Sequence, residues 1–184
     1  PFPGGPNVEK IALECTTPKA AIKRFPLPSP MKGRKNCDFS FSGLKTAIRN
    51  HAQALEGENF KREDIIDLAY AMQNKTADIL ADRCKNAIGR FLTEYKADNP
   101  TLVICGGVSA NKTIRTRLDT LADQHGMRIS APPLSLCGDN GAMIAWVGVE
   151  HLQRGQNDPL DFKARPRWPL DPTATPRHGA GVKA

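Results

Sequence analysis

Between Lys61 and Lys96 apolar side chains return at helical spacing: Ile65, Leu68, Ala69, Met72, Thr76, Ile79, Leu80, Cys84, Ala87, Ile88 and Phe91 form one stripe. That pattern predicts a long helix with one face in a core. Unbroken, it would be on the order of 50 Å at 1.5 Å per residue, so a break near Asn74 is expected. Upstream, Val8, Ile11, Ala12 and Cys15 share a face. The spacing, opened by glycine and proline, predicts a short helix from Gly5 to Cys15. Cys37 to Phe41 reads as a short extended segment leading into a helix from Gly43 to Ala54. A polar turn around Glu56 to Asn59 ends that helix.

Beyond residue 100 the pattern changes to strand, helix, strand, helix: Leu102 to Cys105, Lys112 to His125, Met127 to Ser130 and Asp139 to Gln153. Both strands lead into turns at their carboxyl ends, where parallel α/β sheets bind ligands. The expected organisation is a helical part over 1–100, with a basic Pro-rich loop at 17–35, and an α/β portion over 101–170. The tail over 171–184, rich in Pro, Gly, Thr and Ala, is expected to be disordered.

With 184 residues, 40% hydrophobic and 24% charged, the chain can bury one real core. No apolar stretch approaches the roughly 20 residues that span a bilayer, so a soluble, cytoplasmic domain is expected. Five cysteines (Cys15, Cys37, Cys84, Cys105, Cys137) are odd in number and lack a Cys-x-x-Cys pair. They fit reduced thiols serving mostly as small core hydrophobes, which speaks against a structural zinc cluster. The net charge of +7 is uneven. Lys19, Lys23, Arg24, Lys32, Arg34 and Lys35 lie in a window without an acid, punctuated by Pro18, Pro26, Pro28 and Pro30. The prolines predict an exposed loop rather than a helix. Such a loop is either a solvated basic face or a contact for RNA phosphates.

Two stretches carry candidate chemistry. Gly106-Gly107-Val108-Ser109-Ala110-Asn111 follows the apolar run Thr101 to Cys105 directly. Glycine there admits positive φ and lets a ligand approach the backbone. Ser109 is the expected cap of the helix carrying Arg115 and Leu118, whose first amides would face a nucleotide or other phosphate-bearing ligand. The alternative is a turn that only joins strand to helix. The second stretch, Leu136-Cys137-Gly138-Asp139-Asn140-Gly141-Ala142, opens the last helix. Asp139 is either its N-cap or a carboxylate able to bind a cation. One carboxylate does not make a metal site, so any cation would need ligands from elsewhere.

Taken together, Pro3-Gly4-Gly5-Pro6, Asp38-Phe39-Ser40-Phe41-Ser42-Gly43-Leu44-Lys45-Thr46, the Gly106 to Asn111 turn, Cys137 to Ala145 and Arg165-Pro166-Arg167-Trp168-Pro169-Leu170 resemble, in order, the tRNA adenosine threonylcarbamoyltransferase family. This family, TsaD in bacteria, was once called a glycoprotease or O-sialoglycoprotein endopeptidase. The resemblance runs from Pro3 to about Leu170 and is nearest the bacterial branch. It implies half of an actin-like ATPase fold (sugar-kinase-like, RNase H-like) with a helical insertion. Family members are roughly twice as long, and their first half carries a His-x-x-x-His metal pair. His51, His125, His151 and His178 include no such pair. The chain starts at Pro1, in mid-motif by the family's pattern, and is therefore read as a carboxyl-terminal portion, inactive alone.

The implied reaction transfers a threonylcarbamoyl group from threonylcarbamoyl-AMP to N6 of the adenosine next to the anticodon in ANN-decoding tRNAs. By resemblance, Asn111 contacts the adenylate nucleoside, Gly5 contacts the ribose through its backbone, and Glu9 matches a nucleotide contact of some branches. Asp139 corresponds to one ligand of a divalent iron or zinc, with the histidines in the absent half. No catalytic residue is assigned. Implied partners are tRNA, a dimerising TsaB-like paralogue, a TsaE-like ATPase subunit and the synthase that makes the adenylate. Gly138 stands where Thr or Ser is usual, Lys112 where Arg is common, and Phe2 and Pro1 replace Asp-Tyr. Gly138 would loosen the entry to the Asp139 helix, which makes metal affinity the property most exposed to change. Two rival functions are a sugar or acetate kinase of the same superfold and a non-catalytic scaffold paralogue. The kinases would lack the Phe39 to Thr46 and Cys137 to Ala145 motifs, and a scaffold need not retain Asn111 and Asp139. Neither a nucleophile–base pair nor a protease zinc motif can be placed, so a peptidase is not supported.

Overall fold

The computed structural model describes residues 4–56, 61–163 and 173. Pro1, Phe2, Pro3, the turn after Glu56, the Arg165 to Leu170 ending and the tail, Thr173 apart, lie outside the described residues. Backbone contacts divide the chain into two compact units, Pro1–Asn140 and Gly141–Ala184. The fold is mixed α/β and mostly helical, with one small parallel sheet.

In the first unit the elements run α1 (Gly4–Ala12), α2 (Pro18–Arg24), α3 (Leu44–Glu56), α4 (Arg62–Glu94), β1 (Thr101–Val103), α5 (Lys112–Gln124) and β2 (Arg128–Ser130). Helix α4 is the backbone of the unit, and α1, α2, α3 and α5 all pack on it. It runs unbroken for 33 residues, so the break expected near Asn74 does not occur. The reason is local. The Asn74 amide turns sideways, donating to Asp78 at 3.3 Å and accepting from Arg117 at 3.0 Å, instead of competing for the helix backbone.

The burial of α4 also departs from the expected stripe. Ala71, Ala77, Ile79 and Ile88 are buried, whereas Ile65, Ala87 and Phe91 are exposed. Three polar side chains are buried with the apolar ones: Asp64, Gln73 and Arg83. Arg83, 1% exposed, donates to the carbonyls of Arg34 and Asn36 at 3.1 Å each and pairs with Asp82. The Asn86 amide reaches the same two carbonyls at 2.8 and 3.0 Å. Together they tie the basic segment to α4. Asp64 accepts from the Lys61 amide at 2.9 Å and pairs with Arg24, two contacts that hold its carboxyl below the usual carboxylate range.

The segment 17–35, expected to be a loop throughout, contains α2. Pro18 sits at the first helical turn, where its missing N–H is not needed. The helix carries a fully buried Ala21, and Phe25 just past its end packs into a small core with Leu55 and Ala71. Lys19, Lys23, Lys32, Arg34 and Lys35 remain exposed, whereas Arg24 is held by Asp64 and Asp67. Residues 37–41, expected to be extended, form no strand, and Leu44 is the buried side chain of the following motif.

The main core joins Ala77 and Ile88 of α4 to Ile114, Leu118, Leu121 and Ala122 of α5, with Ile104 and Met127 at the sheet. Strands β1 and β2 are parallel, pairing Thr101 with Arg128, Leu102 with Ile129 and Val103 with Ser130. Parallel strands need a crossover, and α5 is that crossover. Of the cysteines only Cys137 is buried; Cys105 is exposed and the other three are intermediate, so most are not the core hydrophobes expected. All five are free thiols.

The second unit, described by itself, contains α6 (Gly141–Gln153), whose Ile144, Trp146 and Leu152 are exposed. The position preceding this helix is Asn140, so Asp139 is not its N-cap.

Candidate functional site: two loops at the sheet end and an apolar cavity

Because β1 and β2 are parallel, the loops that follow them leave from the same end of the sheet. The first begins at Gly106, whose φ of 81° and ψ of 172° belong to a region open essentially only to glycine. Gly107–Ala110 then form a single 3-10 turn, so the cap of α5 falls two residues past Ser109, while the helix itself starts at Lys112 as expected. Asn111, not Ser109, caps α5: its Oδ1 accepts from the Ile114 amide at 3.0 Å. Ser109 is buried and donates to the Gly106 carbonyl at 2.7 Å, closing the turn on itself.

The second loop runs through Pro132 and Pro133 to the buried Cys137. A half-buried Arg115, on the first turn of α5, joins the two loops. Its Nε donates to the Ser109 carbonyl at 2.6 Å, and its Nη2 reaches the Pro132 carbonyl at 2.9 Å and Cys137 Sγ at 3.2 Å. Ser109 Oγ also lies 3.4 Å from Cys137 Sγ. Asp139 follows two residues later with an exposed carboxylate.

Beside the first loop a cavity of about 630 Å³ opens between α1, α4 and the start of α5. Gly5, Glu9, Met72, Gln73, Asn111 and Ile114 are among its lining residues. The structure thus brings together Gly5, Glu9 and Asn111, three of the four residues singled out from the sequence. Asp139 is not in the lining. Glu9 accepts from the Lys112 amide at 2.7 Å, placing a carboxylate at the positive end of α5. That amide and the one at Ile114, expected to face a ligand, are therefore engaged by Glu9 and Asn111.

Sequence reasoning missed Gln73 and the bridging role of Arg115. Gln73 Oε1 accepts from Asn111 Nδ2 at 2.8 Å, and its Nε2 donates to Thr113 Oγ1 at 2.9 Å. Nothing in the periodicity of α4 separates Gln73 from the solvated polar residues of the same helix.

A family profile described as "tRNA N6-adenosine threonylcarbamoyltransferase" matches residues 1–146. The chain belongs to the TsaD family. Similar proteins carrying that same name come from Rhodospirillum rubrum, 50% identical over 184 residues, and Chelativorans sp., 48% identical over 186 residues. A third, from Brucella anthropi, is 46% identical over 182 residues. These alignments cover 100%, 100% and 98% of this chain and 49% of each relative. The chain spans about half the length of the TsaD relatives it matches.

For a metal the donor set is incomplete. Among the described residues no three His, Cys, Asp or Glu side chains gather into a group that could hold an ion. Asp139, exposed and outside the cavity lining, is one hard oxygen donor, suited to serve as a single ligand and no more. No helix among the described residues is long and apolar enough to cross a membrane.

Proposed function

We propose that this chain forms one wall of the site that transfers the threonylcarbamoyl group from threonylcarbamoyl-AMP to N6 of the adenosine next to the anticodon in ANN-decoding tRNAs. The observation that carries the reading is the cavity. Gly5 and Glu9 on α1 and Asn111 at the head of α5, far apart in sequence, line one apolar space. A volume of about 630 Å³ falls within the range of small-molecule and cofactor sites.

In this reading the adenylate nucleoside occupies the cavity. The apolar side chains of Met72 and Ile114 pack the adenine and keep water from it, while the Gly5 backbone and Glu9 receive the ribose. Asn111 contributes a carboxamide with both donor and acceptor capacity. The N6 lone pair attacks the carbamoyl carbon, the carbon–oxygen bond to AMP breaks, N6 gives up one proton, and AMP departs. When bound, a divalent iron or zinc with Asp139 as one ligand would polarise the acyl carbonyl and offset charge on the leaving phosphate.

The remaining parts of the proposal follow the family. The chain is the carboxyl-terminal half of an actin-like fold with a helical insertion, divided into a helical part over 1–100 and an α/β part over 101–170, and is inactive alone. Lys19, Lys23, Lys32, Arg34 and Lys35 approach tRNA phosphates, a contact class that supplies sequence-independent affinity. A TsaB-like paralogue, a TsaE-like ATPase and the adenylate synthase are its partners in the cytoplasm. Complementation of a strain lacking the transferase tests the reading. Full-length protein with Asn111→Ala or Asp139→Ala is expected to leave the modified nucleoside depleted in bulk tRNA. Normal levels with Asn111→Ala contradict the nucleotide site, and normal levels with Asp139→Ala contradict its role as a ligand.

A further inference from the structure

We infer that Gln73 is a positioning residue for the nucleotide site: it locks the carboxamide of Asn111 in the one orientation that can read a nucleoside hydroxyl. The inference rests on the cavity being the adenylate site. Its physical basis is a relay with a fixed polarity. The Ile114 amide can only donate, so the atom of Asn111 facing it at 3.0 Å is the oxygen. Asn111 Nδ2 therefore faces Gln73, whose oxygen accepts at 2.8 Å, and this leaves the Gln73 amide nitrogen to donate to Thr113 Oγ1 at 2.9 Å. Every group in the chain of bonds takes its direction from one backbone N–H.

Gln73 is 6% exposed and lines the cavity, so with a nucleoside seated there its amide keeps Asn111 and Thr113 as partners rather than water. After both bonds are made, Asn111 retains one N–H and one oxygen lone pair. A donor and an acceptor side by side match a hydroxyl, which both accepts and donates. Without Gln73 the cap alone restrains the carboxamide, and the Nδ2 end is free to swing out of register. The effect falls on recognition of the adenylate, which Asn111 contacts, and not on bond making at the carbamoyl carbon.

The test measures steady-state kinetics of the full-length protein with threonylcarbamoyl-AMP and tRNA, alongside melting temperature. Gln73→Leu is expected to raise KM for the adenylate about tenfold with kcat within about twofold of the parent, the scale of one buried hydrogen bond. Thr113→Val, which removes only the far end of the relay, is expected to raise the same KM about threefold, and Thr113→Ser to restore it. An unchanged adenylate KM in a folded Gln73→Leu protein overturns the inference. So does a joint loss of kcat and melting temperature without a KM effect, which marks a purely structural residue. Should Gln73→Leu fail to fold, a normal KM in Thr113→Val overturns it. Asn111→Ala separates the two readings. If it raises the adenylate KM while Gln73→Leu does not, only the positioning role falls; if Asn111→Ala leaves that KM unchanged, the nucleotide site falls with it.

Discussion

Replacing Arg115 with methionine is expected to separate the two loops at the sheet end. The guanidinium makes two charge-assisted bonds to carbonyls, at 2.6 Å to Ser109 and 2.9 Å to Pro132, and a third contact at 3.2 Å to Cys137 Sγ. Charge-assisted bonds contribute roughly 1.5–3 kcal/mol each, and discounting for the partial exposure of Arg115 leaves about 2–4 kcal/mol for the set. Much of that loss falls on local opening of the 131–140 loop, because the core beneath α5 is untouched. At about 1.4 kcal/mol per factor of ten, the open fraction rises roughly 30- to nearly 1,000-fold. Cys137 reports on it. Its side chain is buried, so a thiol reagent reaches it only when the loop opens, whereas Cys105 is exposed and labels at once. Timed alkylation of the full-length protein, read by peptide mass spectrometry, should show slow Cys137 labelling in the parent and fast labelling in Arg115→Met. Cys105 should be fast in both. A Cys137 rate equal to that of Cys105 in the parent, or unchanged by Arg115→Met, would refute the bridge.

Other consequences are independent of that bridge. Arg83→Leu removes a guanidinium 1% exposed that holds two carbonyls of the basic segment, and is expected to lower stability by about 2–4 kcal/mol in denaturant unfolding; a neutral result contradicts its anchoring role. The Asp64 carboxyl is held below its ordinary value of 3.8 by the Lys61 amide and then by Arg24. Its contribution is therefore complete above that pH and lost as pH falls through the lower folded-state value, so the advantage of the parent over Asp64→Asn should be constant near neutrality and shrink below pH 3.8. A difference that grows with acidification contradicts this. The isolated chain should bind zinc or iron only weakly in calorimetry, since among the described residues no three His, Cys, Asp or Glu side chains gather to hold an ion; tight stoichiometric binding would sink the split site.

The strand–helix–strand unit was legible because an apolar run, a glycine pair and a helical period follow one another from Thr101 to His125. Its cap was not. Ser109 and Asn111 are both good caps two positions apart, and only the 3-10 turn over Gly107–Ala110 decides between them. Helix α2 was hidden by reading Pro18 as a breaker, when the first helical turn is the place a proline is tolerated. The buried Asp64, Gln73 and Arg83 sit on a helix that is polar on several sides, where a period of 3.6 carries no information about which polar residue is satisfied internally. The site divides the same way. Gly5, Glu9 and Asn111 were reached through motifs, whereas Gln73 and Arg115 act through contacts between distant segments that no local pattern encodes.

A crystal structure of the full-length protein with a non-hydrolysable threonylcarbamoyl-AMP analogue tests the central claim most directly. The account predicts the nucleoside in the cavity between α1, α4 and the start of α5, with a polar atom within hydrogen-bond reach of the Asn111 carboxamide. A nucleoside bound elsewhere, with that cavity empty, would contradict it.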